Sequence, residues 1–354
     1  MVTRVKFLGK FLGTQVLPIF LMLALLDPSL CLAKDVMQDF PVPTTVTPEL
    51  QKYITNTPIS KIWNIRPRTA NEWKKCVASV AEADKPVVAA LHEKFKVHSE
   101  PMEMQGVPVY VLTPAQIPPN HEKQVLLHIH GGGYVFNPGE AGTIEGILMA
   151  SFGQFKVVSV DYRMPPDHPY PAPLDDVVTV YEELLKTYKP EQIGVFGSST
   201  GGALTLSLIL RLKAANLPLP AAIAPGSPWS DIDKIGDTYF THEGHDNILV
   251  TYDYSLKESA LLYANGESLK NPYISPIYGD FDGFPPTLLT SGTRDLFLSN
   301  TVRTHLKLRE ANVPADLIVF EGMSHVMYMI FPDTFESQFH FKELRKFFDR
   351  NLNQ

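Results

Sequence analysis

Gln192-Ile193-Gly194-Val195-Phe196, then Gly197-Ser198-Ser199-Thr200-Gly201, then Ala203-Leu204-Thr205-Leu206-Ser207-Leu208-Ile209-Leu210 decide the fold when read in that order. An apolar strand runs into a G-x-S-x-G element, and an apolar helical run follows. A serine hydroxyl becomes a useful nucleophile only when it is held clear of the chain, beside a base and facing oxyanion donors. A sharp strand-to-helix turn achieves this, and its glycines permit the tight geometry and close packing.

Such a turn calls for an acid and then a histidine further along, each in a loop after a strand. Phe284-Pro285-Pro286-Thr287-Leu288-Leu289-Thr290-Ser291-Gly292 reads as a buried strand with its stop, and Thr293-Arg294-Asp295 follows. Asp316-Leu317-Ile318-Val319-Phe320-Glu321 is a further strand, and it leads into Gly322-Met323-Ser324-His325. The order Ser199, Asp295, His325 therefore predicts a nucleophile, an orienting acid and a general base. Asp231, Asp246, Asp280, Asp282 and Asp333 do not directly follow a strand with a glycine stop. His98, His128, His168, His242, His245 and His340 read as surface or core histidines.

Upstream, Gln124-Val125-Leu126-Leu127-His128-Ile129 is another buried-strand run, ending in His130-Gly131-Gly132-Gly133-Tyr134. Consecutive glycines let backbone N–H groups converge on one point with no Cβ in the way. Gly131, Gly132 and Gly133, with the N–H of Thr200, are the expected oxyanion donors. A phosphate loop is excluded, because no G-x-x-x-x-G-K-[ST] pattern occurs.

The remaining sequence extends this pattern. Strands at 124–129, 156–161, 192–197 and 220–225 alternate with helices near 140–152, 174–187 and 200–214. Apolar strands alternating with helices predict an α/β protein with a doubly wound, mostly parallel sheet covered on both faces. Strands at 96–99 and 107–112 precede this series. Thr69-Ala70-Asn71-Glu72 is a capping box opening a helix through Val80, and Asp84 and Pro86 open a second one to Phe95. One short helix is expected around Pro48 to Tyr53. Residues 237–279, with a helical stretch from Asp253 to Ala264, are too long for a simple crossover and read as a cap insertion. The expected organisation is a leader at 1–33, a lead-in with cap helices at 34–95 and a catalytic domain at 96–354. Of the aromatics in the cap segments (Tyr53, Trp63, Trp73, Tyr239, Phe240, Tyr252 and Tyr254), most are read as packing the cap onto the core. Tyr134, at the end of the glycine run, and Trp229, beyond a strand end, are the candidates for touching a substrate.

The chain resembles the hormone-sensitive-lipase-like family of α/β-hydrolase esterases over about residues 95–350. The resemblance rests on His130-Gly131-Gly132-Gly133, Asp161-Tyr162-Arg163-Met164-Pro165-Pro166, Gly197 to Gly201, Asp295 and His325. It implies the α/β-hydrolase fold with a helical cap, and hydrolysis of short- to medium-chain carboxylic esters or lactones through an acyl-enzyme. It implies no metal and no organic cofactor. It also implies a structural ion pair between Asp161 and Arg163. The family often has Asp before the nucleophile, Ala after it, paired acids beyond the catalytic acid and Gly after the histidine. Here those positions are Ser198, Thr200, Ser299 with Asn300, and Val326. A non-catalytic ligand-binding protein on the same fold, a true lipase and an amidase are the alternatives.

The chain has 354 residues, 44% of them hydrophobic, enough for one large core and a subdomain. Arg4, Lys6 and Lys10 precede an uncharged stretch from Phe11 to Leu26, and Cys31-Leu32-Ala33 follows: the pattern of a cleaved signal peptide. This predicts a secreted or periplasmic protein, with an uncleaved membrane anchor as the alternative. Cleavage after Ala33 moves the formal net charge from −7 to −9, an acidic balance that argues against nucleic acid or an anionic membrane as partner. It also leaves Cys76 as the single cysteine of the two, so no intramolecular disulfide is expected. The expected partner is a small-molecule ester.

Overall fold

The computed structural model describes residues 41–56 and 66–353. The leader read at 1–33 and Trp63 lie outside the described residues. Eight strands form one sheet: β1 His98–Met104, β2 Val107–Thr113, β3 Val125–Ile129, β4 Lys156–Val160, β5 Ile193–Ser198, β6 Ala222–Gly226, β7 Thr287–Gly292 and β8 Ala315–Phe320. Their order is β1-β2-β4-β3-β5-β6-β7-β8. β2 is antiparallel to both β1 and β4, and the other pairs are parallel.

The apolar runs explain this arrangement. β3, β5, β6 and β7 are buried along their whole length, as strands covered on both faces must be. Val125, Leu127 and Ile129 enter one core cluster, whereas the intervening Leu126 enters the other. Val195 and Phe196 divide in the same way. One face is covered by α4 Ala172–Leu184, α5 Thr200–Ala214 and α8 Leu298–Glu310. The other is covered by α3 Ile144–Gly153 and α9 Phe335–Asn351, whose Phe341, Leu344, Phe347 and Phe348 pack beneath Leu126, Val157 and Phe196. β1 forms one edge; its Pro101 and charged residues blunt it against further pairing.

The N-terminal region forms α1 Pro48–Asn56 and α2 Ala70–Phe95. The capping box at Thr69 and Glu72 is present, but α2 is one helix of 26 residues rather than two, with Pro86 inside it. Proline there removes one helical hydrogen bond and crowds the preceding turn, at about 3 kcal/mol. The helix continues because Trp73, Cys76, Asp84, Val88 and Leu91 lie in phase on one buried stripe across Pro86. Trp73 and Cys76 join one core cluster and Val88 and Leu91 the other, so breaking the helix would expose half of that stripe. Residues 237–279 contain α6 Thr238–Thr241 and α7 Ser255–Ala264.

β3 sits where the strand order reverses, with β4 on one side and β5 on the other. Open α/β sheets leave a crevice beyond the strand carboxyl ends at such a point. The glycine run follows β3 and the G-x-S-x-G turn follows β5. An ideal Cβ at Gly197 or Gly201 would lie 2.1 or 1.9 Å from the Ile129 carbonyl oxygen. That carbonyl is backbone at the end of a buried strand and has no room to retreat. Gly201→Ala is therefore expected to cost about 3 kcal/mol or more, read as a lowered thermal midpoint or loss of soluble protein.

Candidate active site

Ser199 stands between β5 and α5 at φ 61°, ψ −121°, a strained conformation that points its side chain out of the crevice floor. Its N–H donates to Gly226 O at 2.9 Å, which ties the turn to β6. Ser198 beneath it is buried, and its hydroxyl donates to Glu145 Oε1 at 2.6 Å. Ser198 N–H donates to Glu145 Oε2 at 3.1 Å, and Tyr328 OH lies 2.9 Å from the same hydroxyl. Glu145 also faces His128 Nε2 at 3.3 Å. A carboxylate thus supports the nucleophile turn from beneath, and it comes from α3 instead of the turn itself.

The acid and base loops meet beside this turn. His325 Nδ1 and Asp295 Oδ1 are 3.0 Å apart, and both residues are buried. Asp295 also accepts from Ser291 Oγ at 2.8 Å and from Phe297 N–H at 2.8 Å. Burial disfavours its charge, but the adjacent His325 and these hydrogen bonds outweigh that and hold the carboxyl below its usual range. The Phe297 ring meets the imidazole edge-on at 4.8 Å. His325 Nε2 makes no hydrogen bond among the described residues, and His325 and Ser199 line one cavity. The Ser199–His325 contact is thus open in this structure, as it commonly is before a substrate tightens it.

A residue passed over in the sequence completes the arrangement. Asp246, from the 237–279 insertion, accepts from Leu296 N–H at 2.8 Å and from His325 N–H at 3.3 Å with one oxygen. The other oxygen accepts from Ile248 and Leu249 N–H at 2.9 and 3.0 Å. This carboxyl therefore pins the acid loop, the histidine loop and the insertion together. Burial, and then the negative charge of Asp295, push its pKa up. Nothing in the local sequence signalled this role, because the two donors that tie it to the acid and histidine loops lie some 50 and 79 positions away. Asp246→Ala is expected to cost at least about 3 kcal/mol of stability by orphaning four buried donors. It should also lower kcat roughly tenfold or more with a smaller change in KM, measured by steady-state kinetics.

The glycine loop faces Ser199 from above. Gly132 and Gly133 have φ of 122° and 62°, and an ideal Cβ at Gly131 would lie 2.8 Å from Ser198 O. Gly132, Gly133 and Thr200 donate no backbone hydrogen bond among the described residues; Gly131 and Gly132 line the cavity, whereas Gly133 and Thr200 do not. Tyr162 OH donates to His130 O at 2.8 Å and Asn137 Nδ2 to Gly131 O at 3.2 Å, which hold the loop in place. Burial pulls the His130 pKa down to about 4; its Nδ1 lies 2.7 Å from Gly131 O, so that nitrogen carries the proton.

Three expectations differ from the structure. Arg163 pairs with Asp176, through Nη2–Oδ1 at 2.7 Å, and not with Asp161; Asp161 instead accepts from Gly139 N–H at 2.8 Å. Trp229 is fully buried, its indole N–H donating to Tyr239 OH at 2.9 Å and its ring stacked on Phe297. Tyr134 is stacked on Tyr263 with ring centroids 3.6 Å apart. Neither aromatic lines the cavity. Ser299 and Asn300 also pack inward: Ser299 Oγ accepts from Thr238 N–H at 3.0 Å, and Asn300 Nδ2 donates to Tyr239 OH at 2.9 Å.

The cavity beside Ser199 measures about 130 Å³. Val80, Ala83 and Asp84 of α2, Ile248 and Leu249 of the insertion, and Met329 beyond His325 contribute to its walls. Val326, directly after His325, also lines it and adopts φ 49°, a left-handed conformation costly for a β-branched residue. Among the described residues, no group of three or more Cys, His, Asp or Glu side chains is placed to hold a metal ion.

Residues 126–329 match the family described as alpha/beta hydrolase fold. An esterase of Acinetobacter venetianus is 31% identical over 205 residues, covering 56% of this chain and 66%, just under two thirds, of its own length. An acetyl-hydrolase of Streptomyces hygroscopicus is 28% identical over 216 residues, covering 61% of this chain and 72% of its own. Among solved structures, esterase E25 is 43% identical with a TM-score of 0.87, covering 89% of this chain and 98% of that one. An esterase from the bacterial hormone-sensitive lipase family is 26% identical with a TM-score of 0.74, covering 87% and 99% respectively.

Proposed function

This chain belongs to the alpha/beta hydrolase fold family, in its hormone-sensitive-lipase-like branch, and from that footing we propose that it is a serine carboxylesterase with Ser199, His325 and Asp295 as its catalytic residues. One observation carries the assignment of roles: a buried imidazole is held 3.0 Å from a buried carboxylate on Nδ1, while its unpartnered Nε2 shares a cavity with a strained serine under a glycine loop. Ser199 Oγ attacks the acyl carbon as His325 Nε2 takes its proton. The oxyanion that forms is met by the N–H groups of Gly132, Gly133 and Thr200. Collapse breaks the ester C–O bond, and His325 returns the proton to the departing alcohol. Water then repeats the sequence on the acyl-enzyme and releases the acid. Asp295 keeps the Nδ1–H tautomer and stabilises the imidazolium.

The cavity supports a short acyl or alcohol group. A cavity of roughly 150 Å³ accommodates benzene, so about 130 Å³ suits a segment of four to six carbons. Across p-nitrophenyl acetate, butyrate, octanoate and palmitate, kcat/KM is expected to peak at butyrate. Val326→Gly relieves the left-handed strain and opens the wall, and it should move the optimum toward octanoate. A maximum on emulsified palmitate in the unaltered protein would make it a lipase instead. α2 and the insertion, which both wall the cavity, serve in this reading as the cap. The leader pattern at 1–33 supports an exported enzyme.

A further inference from the structure

Asp84 lies on the α2 wall of the cavity, 8% exposed. Its carboxyl makes no hydrogen bond or ion pair to any described residue. The lining around it is largely apolar, with Val80, Ala83, Leu249 and Met329 among its members. The other buried carboxylates near the site are all engaged: Glu145 by Ser198, Asp246 by four backbone N–H groups, and Asp295 by His325. A buried polar group without a partner is costly to folding and calls for an explanation.

We propose that Asp84 is the specificity determinant of this cavity, and that the ester taken here carries a hydroxyl group on the portion that enters it. The proposal rests on the carboxylesterase reading above and adds the class of substrate. Burial alone pushes the Asp84 carboxyl up to about 7, so both of its forms are present near neutrality. A hydroxyl donates to the ionised form and accepts from the protonated one. An ammonium group pairs only with the ionised form and must shed its hydration in an apolar cavity. The other titratable groups on the lining are His128, His130, Glu145 and His325. Glu145 is hydrogen-bonded to Ser198 and His128, and His130 is held neutral by burial, so neither competes for the ligand.

Two substrate pairs differing by one hydroxyl test this: p-nitrophenyl butyrate against 3-hydroxybutyrate, and butyl acetate against 3-hydroxybutyl acetate. In one pair the hydroxylated ester is expected to have a kcat/KM at least about tenfold higher, as when a buried polar group loses its partner. Asp84→Leu should bring that ratio below one. Asp84→Asn, whose amide oxygen still accepts, should keep part of the preference. The Leu variant should be at least as stable as the original at pH 8: a carboxyl with a raised folded-state pKa removes stability as pH rises from about 4 to about 7. A ratio near one in both pairs, a ratio unchanged by Asp84→Leu, or a stronger preference for the 4-aminobutyrate ester would overturn the proposal. Binding of 3-hydroxybutanamide and butanamide to Ser199→Ala, by calorimetry, separates the two readings. Discrimination between the amides without ester turnover in the unaltered protein would sink the esterase and leave Asp84 standing. Equal binding of both amides that persists in Ser199→Ala/Asp84→Leu would sink Asp84 alone.

Discussion

Ser199→Ala is expected to lower kcat/KM for p-nitrophenyl butyrate by about 10⁴- to 10⁶-fold with the fold unchanged. The nucleophile, base and acid act as a unit, so removing the first member forfeits nearly everything they jointly supply. The glycine-loop N–H groups and the cavity remain, which is why turnover falls toward, but not to, the rate in water. The hydroxyl makes no hydrogen bond with any described residue, and alanine keeps the same backbone, so the thermal midpoint should move little. The acyl burst seen on mixing enzyme with excess substrate should vanish as well. A variant that retained turnover would remove Ser199 from the mechanism and leave the strained turn at φ 61° without a function.

Asp295→Asn should lower kcat by about 10³- to 10⁴-fold, because an amide in place of the carboxylate turns the imidazole to the wrong tautomer. An Asn NH₂ facing His325 makes Nδ1 an acceptor, which puts the proton on Nε2 and leaves nothing to receive the Ser199 proton. Neighbouring Asp246 does not substitute, since its oxygens are taken by backbone N–H groups. A second effect follows from charge. Asp295 is held below its ordinary range in the folded state, so it contributes stability that is full above the unfolded carboxyl value of about 3.9 and fades as pH falls below it. Asn at this position should lose stability at pH 7 and show a flatter decline between about pH 5 and pH 2. Guanidinium titrations at several pH values measure this. Parallel acid limbs in the two proteins would mean that Asp295 is not the buried anion.

The main elements of the fold were readable because each has a local cause. The nucleophile turn depends on glycines that a neighbouring carbonyl would otherwise strike. The sheet depends on apolar runs with no polar face, and α5 begins at Thr200 because Ser199 cannot be helical at φ 61°. Local cues failed where distant parts compensate. Pro86 signals a helix start, yet it sits inside α2 because the stripe of buried residues continues across it, packing on one core cluster before it and on the other after it. Asp161 and Arg163, two residues apart, share a motif but not a partner, since Asp176 of α4 reaches the guanidinium first.

The amino-acid sequence by itself determined the fold class and named Ser199, Asp295 and His325. Strand, turn and nucleophile chemistry are short-range demands, written in adjacent residues. Tertiary structure alone decided what surrounds them: Glu145 under Ser198, Asp246 across three loops, Asp84 in the cavity, and Trp229 and Tyr134 packed among other aromatics away from its lining. Those roles belong to pairs of residues far apart in the chain, and a long-range contact leaves no periodicity or spacing in the segment that makes it.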